Sequence, residues 1–278
     1  MRWCVSIGAA LAAVMLVGGD VAGVAALNAP RFAQRAADTE VDVELILAVD
    51  VSYSMDLEEL AIQREGYAQA IISSDFLQAL KSGPQGKIAI TYFEWASAND
   101  QKVIIPWRIV DGPETADAVA AEIMKAPLRR ASRTSISGAI NFSMELFADN
   151  PYKGFRRVID VSGDGPNNNG EPVAIARDAA LAKGVIINGL PIMVKAATYA
   201  TMDIDNLDIY FEDCVIGGPG SFVVPIKERA KFKEAIRTKL ILEVANLQPN
   251  GAIIPVQARK SRVPCSIGEQ LWRERWGR

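Results

Sequence analysis

The sequence has 278 residues, room for one large domain or two of average size. Half of them are apolar and 23 % are charged, which is ordinary globular usage and excludes a disordered chain, a fibre or a multi-span membrane protein. The net charge is −3 and there is no histidine, which argues against gripping a phosphate backbone and excludes Ser-His-Asp catalysis, Cys-His catalysis and His-ligated zinc. A metal site must therefore use oxygen donors or the three dispersed cysteines Cys4, Cys214 and Cys265.

Residues 1–26 read as a signal peptide. Arg2 precedes an apolar run, Val5 to Gly19, that is too short for a comfortable membrane span, and Val24-Ala25-Ala26 places cleavage after Ala26. An uncleaved anchor is disfavoured by that length and by Asp20. The protein is expected to be exported, periplasmic or extracellular. Cys214 and Cys265 then remain as an even pair in an oxidising compartment, and a disulfide between them would close a loop of about 50 residues.

Residues 27–42 read as a linker. Val43 to Asp50 (VELILAVD) is a continuous apolar run ending in an acid, a strand buried on both faces. Asp56 to Leu80 carries a helical apolar face. Lys87 to Phe93 is a second strand, and Lys102 to Val110 a third, placed at the sheet edge by Pro106. Helices follow at Pro113 to Lys125 and Ser135 to Phe147, then a strand at Arg157 to Ser162. Pro172 and Gly184 bracket the next helix, and Val185 to Leu190 is the next strand. Asp208 to Phe211 and Phe222 to Ile226 are shorter strand candidates, and Lys227 to Ala245 is the last helix. This alternation predicts one α/β domain over 43–245, a doubly wound and mostly parallel sheet flanked by helices, followed by a tail over 246–278.

Ligands of such sheets bind at the carboxyl ends of the strands. There the chain offers Asp50, Ser52 and Ser54 after the first strand, Thr134 before a helix, and Asp164 after the 157–162 strand. Two acids and three hydroxyls are hard donors, suited to Mg²⁺, Mn²⁺ or Ca²⁺. Neutral hydroxyls leave such a metal electron-poor and ready to take an outside carboxylate.

Asp50-x-Ser52-x-Ser54 after an apolar strand, then Thr134, then Asp164, resembles the metal-ion-dependent adhesion site of the von Willebrand factor type A family over about 43–245. The signal peptide, Ser162-Gly163-Asp164-Gly165 and the Cys214 segment look like a bacterial exported branch with no assigned function. The resemblance implies the family's α/β fold with one antiparallel edge strand, and a binding module rather than an enzyme. Ser52, Ser54 and Thr134 would ligate a divalent cation directly, most readily Mg²⁺. Asp50 and Asp164 would act largely through water or as alternating ligands. The partner would be a protein presenting Asp or Glu.

Other readings stand beside these. Asp50 and Ser52 could simply cap the following helix. Asp56, Glu58 and Glu59 read as acids favoured in a first helical turn, or as a second metal site. Asn167-Asn168-Asn169 reads as a turn that could shape the rim. Trp95 is either core or an exposed contact. The basic run in 259–278 reads as a solvated tail, with docking to an acidic surface as the alternative. A haloacid-dehalogenase-like phosphohydrolase would need an acid at Ser52 and another at Asn168, so general acid catalysis lacks its group. A purely structural exported domain, stiffened by metal, is the third possibility.

Overall fold

A computed structural model describes residues 39–195, 203–245 and 261–277. The expected signal peptide, most of the linker and the tail segment 246–260 lie outside the described residues.

Strand β1 (Thr39–Asp50) is central. Its unbroken apolar run is buried on both faces, as parallel strands require. Val43, Leu45, Leu47 and Val49 enter one core, and Ile46 and Ala48 enter the other. It starts ahead of the expected Val43, and Thr39 already pairs with Tyr152, so residues 39–42 belong to the sheet rather than the linker.

With β2 (Ile88–Trp95), β3 (Gln101–Val110), β4 (Tyr152–Gly163) and β5 (Val185–Pro191), β1 forms a five-stranded sheet ordered β3-β2-β1-β4-β5. All pairs are parallel except β2–β3. Pro106 falls where the β2–β3 register shifts, between the Ile90–Arg108 and Tyr92–Ile105 pairs, so its missing amide interrupts no regular ladder.

On one face lie α1 (Leu57–Ile71), α2 (Ser74–Lys81), α3 (Pro113–Lys125) and α7 (Phe232–Ala245); on the other lie α4 (Ile136–Ala148), α5 (Val173–Leu181) and the short α6 (Leu207–Tyr210). The expected helix 56–80 is two helices. The Ser73 hydroxyl accepts from the Phe76 amide at 3.3 Å and restarts the second. Asp208 to Phe211 is helical rather than a strand, running from α6 into one π-helical turn, Phe211–Val215. Leu207, Tyr210, Phe211, Cys214 and Val215 are buried at helical spacing, and that sets the conformation. Phe222 to Ile226 forms no ladder, only single bridges through Val223 and Ile226. In the expected tail, Ile267–Trp276 folds as α8. The predicted disulfide is present between Cys214 and Cys265.

After β1 the chain winds outward to β2 on one side and returns to β4 on the other. The carboxyl ends of β1 and β4 therefore flank the topological switch point, where open α/β sheets bind ligands.

Candidate metal centre at the sheet switch point

β1 ends at Asp50, whose side chain is fully buried. Its Oδ1 accepts from the Ser52 amide at 2.7 Å, while its Oδ2 is buried with no hydrogen-bond partner among the described residues. Gly163 makes this possible, because a Cβ there would stand 3.0 Å from Asp50 Oδ2 and 3.5 Å from Trp95 Cη2. Ser52 and Ser54 share a hydrogen bond of 2.8 Å, and the Ser54 hydroxyl donates to Asp164 Oδ1 at 2.5 Å. One continuous chain thus runs from Ser52 to Asp164, just beyond β4.

Thr134 comes from a loop laid along the β1 end. The Ala131 amide donates to Val51 O at 2.9 Å, and Ser135 N donates to Ala96 O at 2.7 Å. Arg129 pins the same loop to Glu94 and Asp100 at 3.0 and 2.7 Å. The Thr134 amide donates to Asn168 Oδ1 at 3.0 Å, and the Asn168 amide donates back to Thr134 O at 2.8 Å. A Cβ on Gly165 would lie 4.0 Å from Thr134 Oγ1 and 3.9 Å from Asp203 Oδ1, so the β4 loop, Thr134 and Asp203 meet there. Arg133, beside Thr134, has φ +74°. That left-handed conformation costs a non-glycine residue about 1 kcal/mol or more, and such strain concentrates at functional sites.

Burial pushes the Asp50 carboxyl up to about 7, helped a little by the charge of Asp203; the Ser52 amide and hydroxyl and the Asp164 amide pull the other way. Burial, then the charges of Asp50 and Asp203, raises Asp164 well above the usual carboxylate range, with Lys195 opposing. Acids crowded into low dielectric favour a bound cation. Among the described residues no group of three or more Cys, Asp or Glu is arranged to hold a metal, so an ion here must draw on the hydroxyls as well. The donor set fits a hard divalent cation: an orphaned buried carboxylate oxygen, a second carboxylate, and the hydroxyls of Ser52, Ser54 and Thr134.

The family described as "Protein of unknown function (DUF1194)" matches residues 40–248. The chain belongs to the DUF1194 family. No curated protein matches the sequence. Among solved structures, this DUF1194 chain is similar to proximal thread matrix protein 1 of the mussel byssus, in a form "with zinc occupied MIDAS motif" (14 % identity, 76 % of this chain and 49 % of that one, TM-score 0.54). It is also similar to a von Willebrand factor type A protein from Catenulispora acidiphila (14 %, 74 % and 43 %, TM-score 0.51). A third is the pilus adhesin SpaC of Lactobacillus rhamnosus GG (10 %, 74 % and 30 %, TM-score 0.54). The chain spans less than half the length of each of these three. At these identities the likeness establishes the fold, which is that of a von Willebrand factor type A domain.

In this DUF1194 domain the acids after Ser54 serve the helix and its ion pairs. Asp56 caps α1 and forms a capping box with Glu59. Arg229 pairs with Glu58 and Asp56, and Lys195 pairs with Glu59. Trp95 is core, with no exposure, so it is not a contact residue. Tyr53, 60 % exposed under the guanidinium of Arg130 at 5.4 Å, stands on the rim instead. Sequence reasoning missed Asp203, which has no motif around it. It also missed that each asparagine of the 167–169 run binds a different element, the only clue being three amides in succession. A cavity of about 210 Å³ beside Asp164 is lined by Glu59, Met193, Lys195, Asp203 and Asp205 among others. No helix of the described residues is long and apolar enough to cross a membrane.

Proposed function

We propose that the domain is an exported, non-enzymatic binding module. Its metal-ion-dependent adhesion site would hold one divalent cation, Mg²⁺ before Mn²⁺ or Ca²⁺, and use it to coordinate an Asp or Glu of a protein partner. The observation that carries this reading is the buried Asp50 carboxylate, with one oxygen unpartnered among the described residues, beside Asp164 at the switch point. Ser52, Ser54 and Thr134 supply neutral direct ligands, while Asp50 and Asp164 balance the charge directly or through water. A cation so held is an electrophile for an incoming carboxylate, whose desolvation the surrounding contacts must offset. The zinc-occupied motif of the mussel protein, which shares this fold, supports a divalent cation. The disulfide suits an oxidising compartment, and with the adhesin likeness it supports export. Ser52 binds Ser54 where a phosphohydrolase would place its general acid, which favours binding over catalysis.

The test is capture of partners from an exported-protein fraction by wild type, by Asp50→Ala, by Thr134→Ala, and by wild type in chelator. Capture by wild type alone supports the reading. A partner retained in all four arms places the contact elsewhere.

A further inference from the structure

We propose that α8 is a positioning element for the Thr134 side of the site, so that cation affinity depends on a helix contributing no ligand. This rests on the metal reading above and extends it to the C-terminal segment.

Thr134 is held from two directions, and α8 stands behind both. On one side is Arg133, whose left-handed backbone turns Thr134 toward the β4 loop; its guanidinium stacks on the Trp272 ring, 3.1 Å from the ring centre. On the other side is Asn168, whose side chain and amide clamp the Thr134 backbone at 3.0 and 2.8 Å. Its neighbour Asn167 is fully buried and spends its side chain on three partners: the Ser137 amide at 3.0 Å, Glu171 O at 3.1 Å and Glu269 Oε1 of α8 at 2.8 Å. The Asn167 amide donates to the Tyr210 hydroxyl at 3.1 Å.

The fit of α8 on this loop is close. A Cβ at Gly268 would lie 2.0 Å from Asn167 O, so only glycine lets the helix backbone rest there. The helix is also held covalently. Cys265, two residues before α8 begins, is bonded to the fully buried Cys214 of the π-helical turn. The C-terminal helix thus stands behind the residues that hold Thr134. A ligand hydroxyl must be held within about half an ångström to serve a metal, and groups behind the ligands normally set that tolerance.

The experiment titrates the full mature chain with Mg²⁺ and Mn²⁺ by calorimetry and records metal-free unfolding for the same samples. Gly268→Ala lifts α8 from Asn167, Trp272→Ala removes the stack on Arg133, and Trp272→Phe keeps an aromatic face. Gly268→Ala and Trp272→Ala are expected to weaken cation affinity on the order of tenfold, the lower end for groups supporting metal ligands. Trp272→Phe should stay near wild type, and metal-free melting should move little in the Trp272 variants, because both cores are untouched. If Gly268→Ala does not fold, the Trp272 pair decides. Wild-type binding with every folded variant within twofold of it overturns the role of α8 alone. A wild type that takes up neither cation overturns the metal reading, and this proposal with it.

Discussion

Replacing Asp50 by Asn should stabilise the metal-free protein while removing its response to cations. Asp50 is fully buried, and its carboxyl titrates near 7 in the fold against 3.8 for an exposed one. A raised folded value means that the fold prefers the protonated acid. The associated stability is present below about pH 4 and is lost as pH rises toward 7. At pH 8 without metal, the ionised group costs the fold up to ~4 kcal/mol, taking about 1.4 kcal/mol for each of some three pK units. Asn keeps an acceptor for the Ser52 amide and discards the charge, but its amide hydrogens gain no certain partner. We expect a net gain of about 2 kcal/mol, or roughly 4–8 °C in melting temperature for a domain of this size. In saturating Mg²⁺ the order reverses: wild type gains ~2.7 kcal/mol at a hundred times its dissociation constant, and the variant gains nothing. Thermal unfolding by circular dichroism in chelator and in Mg²⁺, at pH 8 and pH 5, tests all of this. The advantage in chelator should shrink at pH 5. A variant less stable than wild type in chelator at pH 8, or one still stabilised by Mg²⁺, would show, respectively, that the buried Asp50 charge does not destabilise the metal-free fold or does not recruit the cation.

Three further outcomes are expected. Glu243 is buried with Lys239 and Asp160, and burial followed by the Asp160 charge raises its carboxyl to about 7. Stability tied to its proton is therefore lost between about pH 4.5 and 7, and Glu243→Gln should flatten the fall of urea midpoints over that range, removing up to ~3 kcal/mol of it; an unchanged slope would show that the proton resides elsewhere. Unreduced, unfolded protein should show no thiol labelling at Cys214 or Cys265, and reduction should cost up to ~4 kcal/mol for a sequence separation of 51 residues; full labelling before reduction contradicts the pairing. Asn168→Ala should weaken Mg²⁺ binding about tenfold or more with little change in metal-free melting, and unaltered affinity would remove Asn168 from the support of Thr134.

The order of strands and helices, the carboxyl end of β1 and the edge position of β3 were legible because each is written locally. A two-faced strand is an apolar run, an interrupted ladder carries a proline, and the site donors flank strands that can be counted. What failed depends on tertiary contacts. Asp208 to Phe211 looks extended over four residues, and its helical burial pattern appears only when the window reaches Val215. Lys239 and Glu243, at i, i+4 on α7, form a buried network with Asp160 on β4 that no local pattern announces. In α8 the charges dilute any apolar stripe, so the helix that brings the Trp272 and Trp276 rings within 5.9 Å has no local signature. The left-handed Arg133 carries no glycine or asparagine to announce it. Asp203 reaches the site from a segment without a motif, so only the fold brings it beside Asp164.

We propose that Asp50, Ser52, Ser54, Thr134 and Asp164 together hold one divalent cation. Calorimetric titration of the protein with Mg²⁺, Mn²⁺ and Ca²⁺, beside Thr134→Ala and Asp164→Ala, measures this directly. We expect one site per chain in wild type, with Mg²⁺ or Mn²⁺ bound and binding lost or strongly weakened in both variants. Absence of saturable heat for all three cations in wild type, or affinities unchanged in both variants, would contradict it.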